Sequence, residues 1–466
     1  MKTKRILLTW LVMGMAMMGW AAPNSLYFMD LLPYQNYMNP ALQPLCDSYV
    51  ELPGISSVSA SASMGGLSLN DFLYVKDGKL VTFLHPEYGS KDALYKKLRD
   101  VQRISADADV SLLGFGMRVK ENGFFTFNLS TRMDAALGVP KDLMKFLLYG
   151  TPDEDGVNTY DLSSLSMSAN LYNDISFGYS HKINDQWSVG ARLHLLVGAA
   201  GADARFSSLS LEASKEQWRI NSAGSARLSV PGLKVLVDDQ GNVSGFSAFD
   251  ITSAWQSYQL SMGAAVDLGV TYKPLPELTL SASIKDLGFM YWANLNQLDM
   301  QATGEFNGVY YDPENPANII DSLLADVVAT ARLNPNATGY CREMRGKLYI
   351  GAEYSFLRNM MSVGVLSKTE FMAKYVSEEI SLNYKVRPCH WFGISAGYSI
   401  VSGGWSTIGF GMDIKLPPFN FYVATDYVPL YYSAEGVPYK SQAINVQAGI
   451  VLTFDTKDNF KRLTEQ

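Results

Sequence analysis

Chemistry needs reactive side chains at workable spacing, and in this sequence the supply is thin. The chain has four histidines (His85, His181, His194 and His390) and three cysteines (Cys46, Cys341 and Cys389). None stands in the His-Glu-x-x-His or Cys-x-x-Cys spacing that brings metal ligands together over a short stretch of chain. Cys389 and His390 are adjacent, but neighbours in a strand point to opposite faces, so a shared ion is not expected. There is no Gly-x-Ser-x-Gly elbow and no phosphate-cradling glycine loop. The densest polar grouping is Ser188, Arg192 and His194, on one face of an alternating segment. A hydrolytic site there is one reading; a polar wall lining is the other, and the pattern favours it. Asp174, Asp267, Lys285, Asp413 and Lys415 fall on the same kind of face in their own segments. They are expected to pair with one another or with the N-terminal segment rather than to bind a substrate. The sequence predicts no catalytic, cofactor-binding or metal-binding residue, and a protein that is not an enzyme.

The elements that must position these residues announce themselves by a two-residue period. From Tyr258 to Tyr272 every even position is apolar, while the odd positions read Gln259, Ser261, Gly263, Ala265, Asp267, Gly269 and Thr271. Strict alternation of this kind marks a strand with two unlike faces. Its length exceeds the five or six residues of an average soluble strand and suits a tilted crossing of a bilayer, which takes about nine to eleven. The pattern recurs at 278–285 after the turn Lys273–Glu277, at 392–400, at 407–415 and at 444–454. Similar segments lie near 55–64, 111–119, 123–132, 165–181, 186–198, 202–212, 216–229, 345–355, 359–369, 374–386 and 418–428. Together they predict roughly 14 to 16 strands.

The two faces differ in a telling way. The polar face is Gly, Ser, Thr, Asn and Gln with scattered charges, not the Lys/Glu-rich face of a soluble sandwich. Tyr and Trp gather at segment ends, as at Trp187, Tyr258, Tyr272, Trp391, Tyr427, Tyr431 and Tyr432, where an interfacial ring keeps one side dry and one wet. Past residue 21 no run of about 18 apolar residues exists, so helical spans are not expected. The predicted fold is all-β: an antiparallel transmembrane barrel whose wet lumen receives Asp174, Arg192, His194, Asp267, Lys285, Asp413 and Lys415.

At the N-terminus Lys2, Lys4 and Arg5 precede an uncharged run to Trp20 and then Ala21 and Ala22, the layout of a secretory signal cut near Ala21. Its removal takes three cations from 38 Lys+Arg against 45 Asp+Glu, leaving a net charge of about −10, which does not suit a nucleic-acid partner. No cysteine lies near the cut, so a lipid anchor is not expected. The expected organisation is therefore a signal at 1–21, a plug at 22–53 and a barrel at 54–466. The plug segment lacks alternation, and Pro33, Tyr34, Tyr37, Asn39 and Pro40 are its candidate luminal contacts. Two short helices are expected, at 140–149 with Pro in the first turn and at 316–332. Whether two of the three cysteines bridge is left open by the sequence.

Several of these motifs carry a resemblance. Asn39-Pro40-Ala41, the Val139-Pro140-Lys141-Asp142-Leu143 helix start followed by Tyr149-Gly150, and the strand–turn–strand Ile175 to Leu193 resemble a family of outer-membrane barrels from bacteria that possess type IX secretion. Gly351-Ala352-Glu353-Tyr354 and the closing glycine-rich hairpin extend the likeness over nearly the whole chain after residue 21. More distantly the chain is similar to the PorP/SprF-type and FadL-like barrels. The FadL-like resemblance implies 14 strands, an N-terminal luminal hatch, and uptake of a hydrophobic or amphipathic small molecule. The PorP/SprF-like resemblance implies a non-transporting scaffold for a secreted or surface protein. Either role implies contact with outer-membrane lipid, and neither brings catalytic residues or a cofactor. The expected location is the bacterial outer membrane. One departure is the tail: Phe454 is followed by Asp455 to Gln466, where such barrels commonly end on an aromatic residue.

Overall fold

The structure, a computed structural model, describes residues 23–76, 79–82, 91–151, 156–215, 217–239, 242–247, 252, 259–293, 295–306, 331–372, 375–402, 405–428 and 442–455. The expected signal at 1–21 and most of the expected helix at 316–332 lie outside them. Ala331 and Arg332, at the end of that stretch, open the strand Ala331–Asn334 instead.

Alternation does what its period requires. Along Trp187–Ala213 the even residues Arg192 and His194 turn inward and are buried, while Leu193 is 64% exposed and Leu195 41% exposed. In Ser261–Leu275 Asp267 is fully buried and Leu268 is 47% exposed. A soluble sheet does the reverse, because water rewards an apolar inside; here the polar face closes on itself and the apolar face looks out.

The strands form one closed antiparallel wall of 14 staves. Its order follows the chain: Val101–Val119, Gly123–Pro140, Ser166–Lys182, Trp187–Ala213, Ser261–Leu275, Leu278–Trp292, Lys347–Phe356, Met361–Met372, Tyr375–Cys389, Phe392–Val401, Trp405–Leu416, Phe419–Thr425 and Ala443–Phe454. The remaining stave closes the barrel and is made of two pieces. Ser48–Glu51 pairs with both the last stave and Val101–Val119, so the wall begins inside the stretch expected to be plug. Val58–Ser63 pairs with the last stave, and among the described residues it forms no ladder with Val101–Val119. Leu52 to Ser57 break the stave between the two pieces.

One end of the barrel carries tight turns, such as those after Val119, Lys182, Leu275, Phe356, Cys389 and Leu416. The other end is elaborate. The stretches near 186–198 and 202–212, expected as two strands, are one strand of 27 residues, Trp187–Ala213. Its far half leaves the wall to pair with Trp218–Ser229, which pairs with Leu295–Phe306 and so on to Ala331–Asn334. These strands form an extension beyond the wall, with Val243, Leu298, Met300 and Ala331 in its core. Helix Lys141–Tyr149 starts after Pro140 and ends at Gly150. It wedges Phe146 against Tyr160 and Trp218, and Leu148 against Leu67, Leu94 and Leu98. No helix among the described residues is long and apolar enough to cross a membrane.

Candidate functional site

The lumen holds two layers. In the tight-turn half sits the N-terminal segment, folded as a short 3-10 turn, Asn24–Phe28, and one helical turn, Gln35–Met38. Neither is long enough to be stable alone, and the wall supplies what they lack. The Asn24 and Ser25 amides both donate to the Asp426 carboxylate, at 2.5 and 3.1 Å. Tyr27 donates to Ser281 Oγ at 2.9 Å and accepts from Asn39 at 3.0 Å. Asp30 pairs with Arg387 and lies 3.4 Å from Lys385. Leu26, Phe28, Met29, Leu32, Tyr34 and Met38 pack with wall residues Phe124, Tyr349, Leu366 and Tyr422 in one apolar core.

Each plug residue singled out by sequence lies in this layer. Pro33 is buried between the two turns. Tyr34 donates to the Ser56 carbonyl at 2.5 Å, in the break of the two-piece stave. Tyr37 donates to Glu51 at 2.9 Å and lies under the Arg192 guanidinium, 4.3 Å from its ring centre. The Asn39 carboxamide accepts from the Ala41 amide at 3.0 Å, and Asn39 and Pro40 press against two wall glycines. A Cβ on Gly190 would meet the Pro40 carbonyl at 2.2 Å, and one on Gly269 would meet Asn39 Oδ1 at 2.1 Å. The glycine-rich lining is thus the seat of the plug.

Above it runs a belt of buried charge. Arg132 reaches Asp109 at 3.0 Å, Asp174 at 3.0 Å and Asp286 at 2.8 Å. His194 lies between Asp174, at 2.9 Å from Nδ1, and Asp267, at 3.1 Å from Nε2. Arg345 pairs with Asp107 and with Asp134 and Glu370 at 3.2 and 3.7 Å. Lys285 and Lys347 stand opposite one another in register. Both line a cavity of about 160 Å³ floored by Tyr34, Tyr37 and Met38 of the plug and walled by Arg132, Asp286 and Arg345.

Of the lumen residues expected from sequence, Asp174, His194 and Asp267 meet in this belt and Lys285 adjoins them. Arg192 serves the plug, donating to Asn36 at 2.7 Å. Asp413 is buried beside Gly393, and Lys415 pairs with Asp455 at 2.5 Å near the tight turns, so neither joins the belt. Tyr427, expected at a strand end facing lipid, donates inward to Glu379. The sequence reading did not single out Asp30, Asp109, Arg132, Asp286, Arg345 or Arg387. Arg132 follows the alternation of its strand and was legible; Asp286 was not. It sits at a β-bulge where Lys285 and Asp286 together oppose Asp267, with a φ of 55°. A bulge inserts a residue and re-aims the side chains beside it.

The three cysteines are free. Cys46 is buried between plug and wall, and burial pushes its thiol up to about 12, which makes it a poor nucleophile at neutral pH.

A sequence family matches residues 40–426, from Pro40 in the plug to Asp426, the carboxylate that receives the first plug amides. The chain belongs to the family of unknown function DUF5723. No curated protein matches this family member by sequence. Among solved structures it is similar to the toluene transporter TodX of Pseudomonas putida, at 10% identity and a TM-score of 0.42, covering 90% of this chain and 93% of the other. It is also similar to a FadL homologue of Pseudomonas aeruginosa, at 10% identity and a TM-score of 0.41, covering 94% and 100%.

Proposed function

We propose that this barrel resides in a bacterial outer membrane after removal of residues 1–21, and that it admits a small amphipathic molecule through a lumen closed by its N-terminal segment. The observation that carries the reading is the luminal cavity, bounded by plug on one side and by charged wall residues around it. The outward band of Leu193, Leu268, Leu382 and Ile400 supports the membrane location, as does the Trp187–Tyr272 stack at 4.4 Å near the tight-turn end. In such barrels short turns face the periplasm, which orients the plug there and the strand extension outward.

One feature narrows the cargo. A wholly apolar molecule gains nothing from a belt of Arg, Lys and Asp, whereas one with a polar or ionised end does. The test is deletion of residues 24–45 with the leader retained. An assembled barrel that now conducts ions in planar bilayers supports the gate; one that assembles and stays closed removes it.

A second reading is a non-transporting scaffold beside a secretion machine of the type IX kind, holding a secreted or surface protein. What favours it is how completely the tight-turn half of the lumen is filled. Co-purification from native membranes decides it, since a stable large partner that survives deletion of the plug supports the scaffold.

A further inference from the structure

The belt contains a contact that side-chain pairing alone leaves unresolved. His194 Nδ1 faces both oxygens of the Asp174 carboxylate, at 2.9 and 3.0 Å. An ionised carboxylate only accepts, so Nδ1 carries the proton and Nε2 of a neutral ring is left with its lone pair. That lone pair points at Asp267 Oδ2, 3.1 Å away. Both atoms are fully buried, and among the described residues neither has a hydrogen-bond partner beyond this contact. Two acceptors held face to face inside a protein repel unless something positive lies between them.

A third donor is near. One carboxylate oxygen of Asp286 lies with His194 and Asp267 so that all three ligand atoms fall within 4.8 Å of one another. Asp286 is brought there by its bulge and by its left-handed backbone, and its amide donates to Asp267 Oδ1 at 2.7 Å, which fixes that carboxylate.

We propose that His194 Nε2, Asp267 and Asp286 bind one divalent transition-metal cation inside the lumen, with Asp174 as the partner that orients the imidazole. A metal with bonds of about 2.0–2.2 Å to nitrogen and oxygen sets adjacent donor atoms about 2.8–3.1 Å apart in octahedral and about 3.3–3.6 Å in tetrahedral geometry, and the 3.1 Å His194–Asp267 contact falls at the octahedral end. The carboxylate–histidine–metal arrangement is the usual way a ligating ring is held. One nitrogen with carboxylates suits Zn²⁺ or Mn²⁺ better than Ca²⁺ or Mg²⁺, which take oxygen alone. The three ligands come from three successive staves, and Asp286 borders the cavity, so the ion rivets the wall and keeps an open side toward the lumen.

The experiment uses the full assembled barrel in detergent, stripped with chelator and titrated with Zn²⁺ by calorimetry, with bound metal counted by mass spectrometry. One equivalent is expected, weakened at least about tenfold in His194→Gln and Asp267→Asn and about 10–100-fold in Asp174→Asn. His181→Gln, at an exposed histidine, leaves it unchanged. Absence of saturable uptake, or uptake equal in wild type and His194→Gln, overturns the proposal. Where the variants fail to assemble, ¹⁵N-histidine spectra of the wild-type barrel decide. A metal-shifted Nε2 supports the site; an Nε2 that still carries a proton in excess Zn²⁺ shows that a proton fills the gap instead.

Discussion

Tyr34 of the plug donates its hydroxyl to the backbone carbonyl of Ser56, in the break of the closing stave, at 2.5 Å. The Ser56 side chain in turn donates to the Ile450 carbonyl and accepts from the Leu52 amide, both at 2.6 Å. The plug and the one discontinuity of the closing stave are therefore latched through a single residue. Tyr34→Phe keeps the ring in its core and removes the latch. It is expected to cost about 1 kcal/mol and to raise the frequency of brief openings in planar bilayers. A variant as quiet as wild type separates the latch from gating.

Gly190→Ala places a methyl on the Pro40 carbonyl, where neither backbone has room to yield. The expected product is an assembled barrel with an unseated plug, which chymotrypsin cuts at the Tyr, Phe and Leu residues of the 24–45 stretch while the wall resists. Gly346→Ala meets nothing closer than 3.8 Å and is expected to protect the plug as wild type does. Equal protection in both variants contradicts the seating.

Asp30→Asn strips the full charge from the partner of Arg387, a guanidinium 1% exposed. A buried cation left short of its counter-ion costs roughly 1–3 kcal/mol or more. The heated-versus-unheated gel shift is expected to move to lower temperature, and Asp30→Glu to recover part of it.

Val266→Arg puts a cation on the outward face beside Leu268, and near the middle of a bilayer this costs ~2–4 kcal/mol. Assembly yield is expected to fall. Glu121→Arg, in an exposed turn, is expected to assemble normally. If Val266→Arg inserts as well as Glu121→Arg, that face does not meet lipid.

Much of this was legible in the sequence, and the reason is geometric. A two-residue period assigns every side chain of a regular strand to one face, so Asp174, Arg192, His194 and Asp267 announce themselves as inward from local pattern alone. What pattern cannot show is which inward residues meet across the lumen. Arg132 and Asp286 touch although their strands are far apart in the chain, and that follows from closure of the barrel. Asp286 is hidden for a second reason, since a bulge interrupts the period on which the reading depends. The course of 22–53 was less legible still. Its Ser48–Glu51 end is too short to show alternation, and the partners that make it a strand stand at 114–117 and 451–454.

The long strand Trp187–Ala213 has a consequence for how the two ends of the molecule communicate. At about 3.3 Å per residue its 27 residues reach on the order of 90 Å. It passes from the tight turns, by way of Arg192 over Tyr37 and His194 between its aspartates, to the extension at the far end. An extended chain laddered on both sides scarcely stretches and shares its load with its neighbours, so a displacement of the extension is passed to the wall strands around those two residues. The extension and the plug are thus joined by one continuous strand, through Arg192.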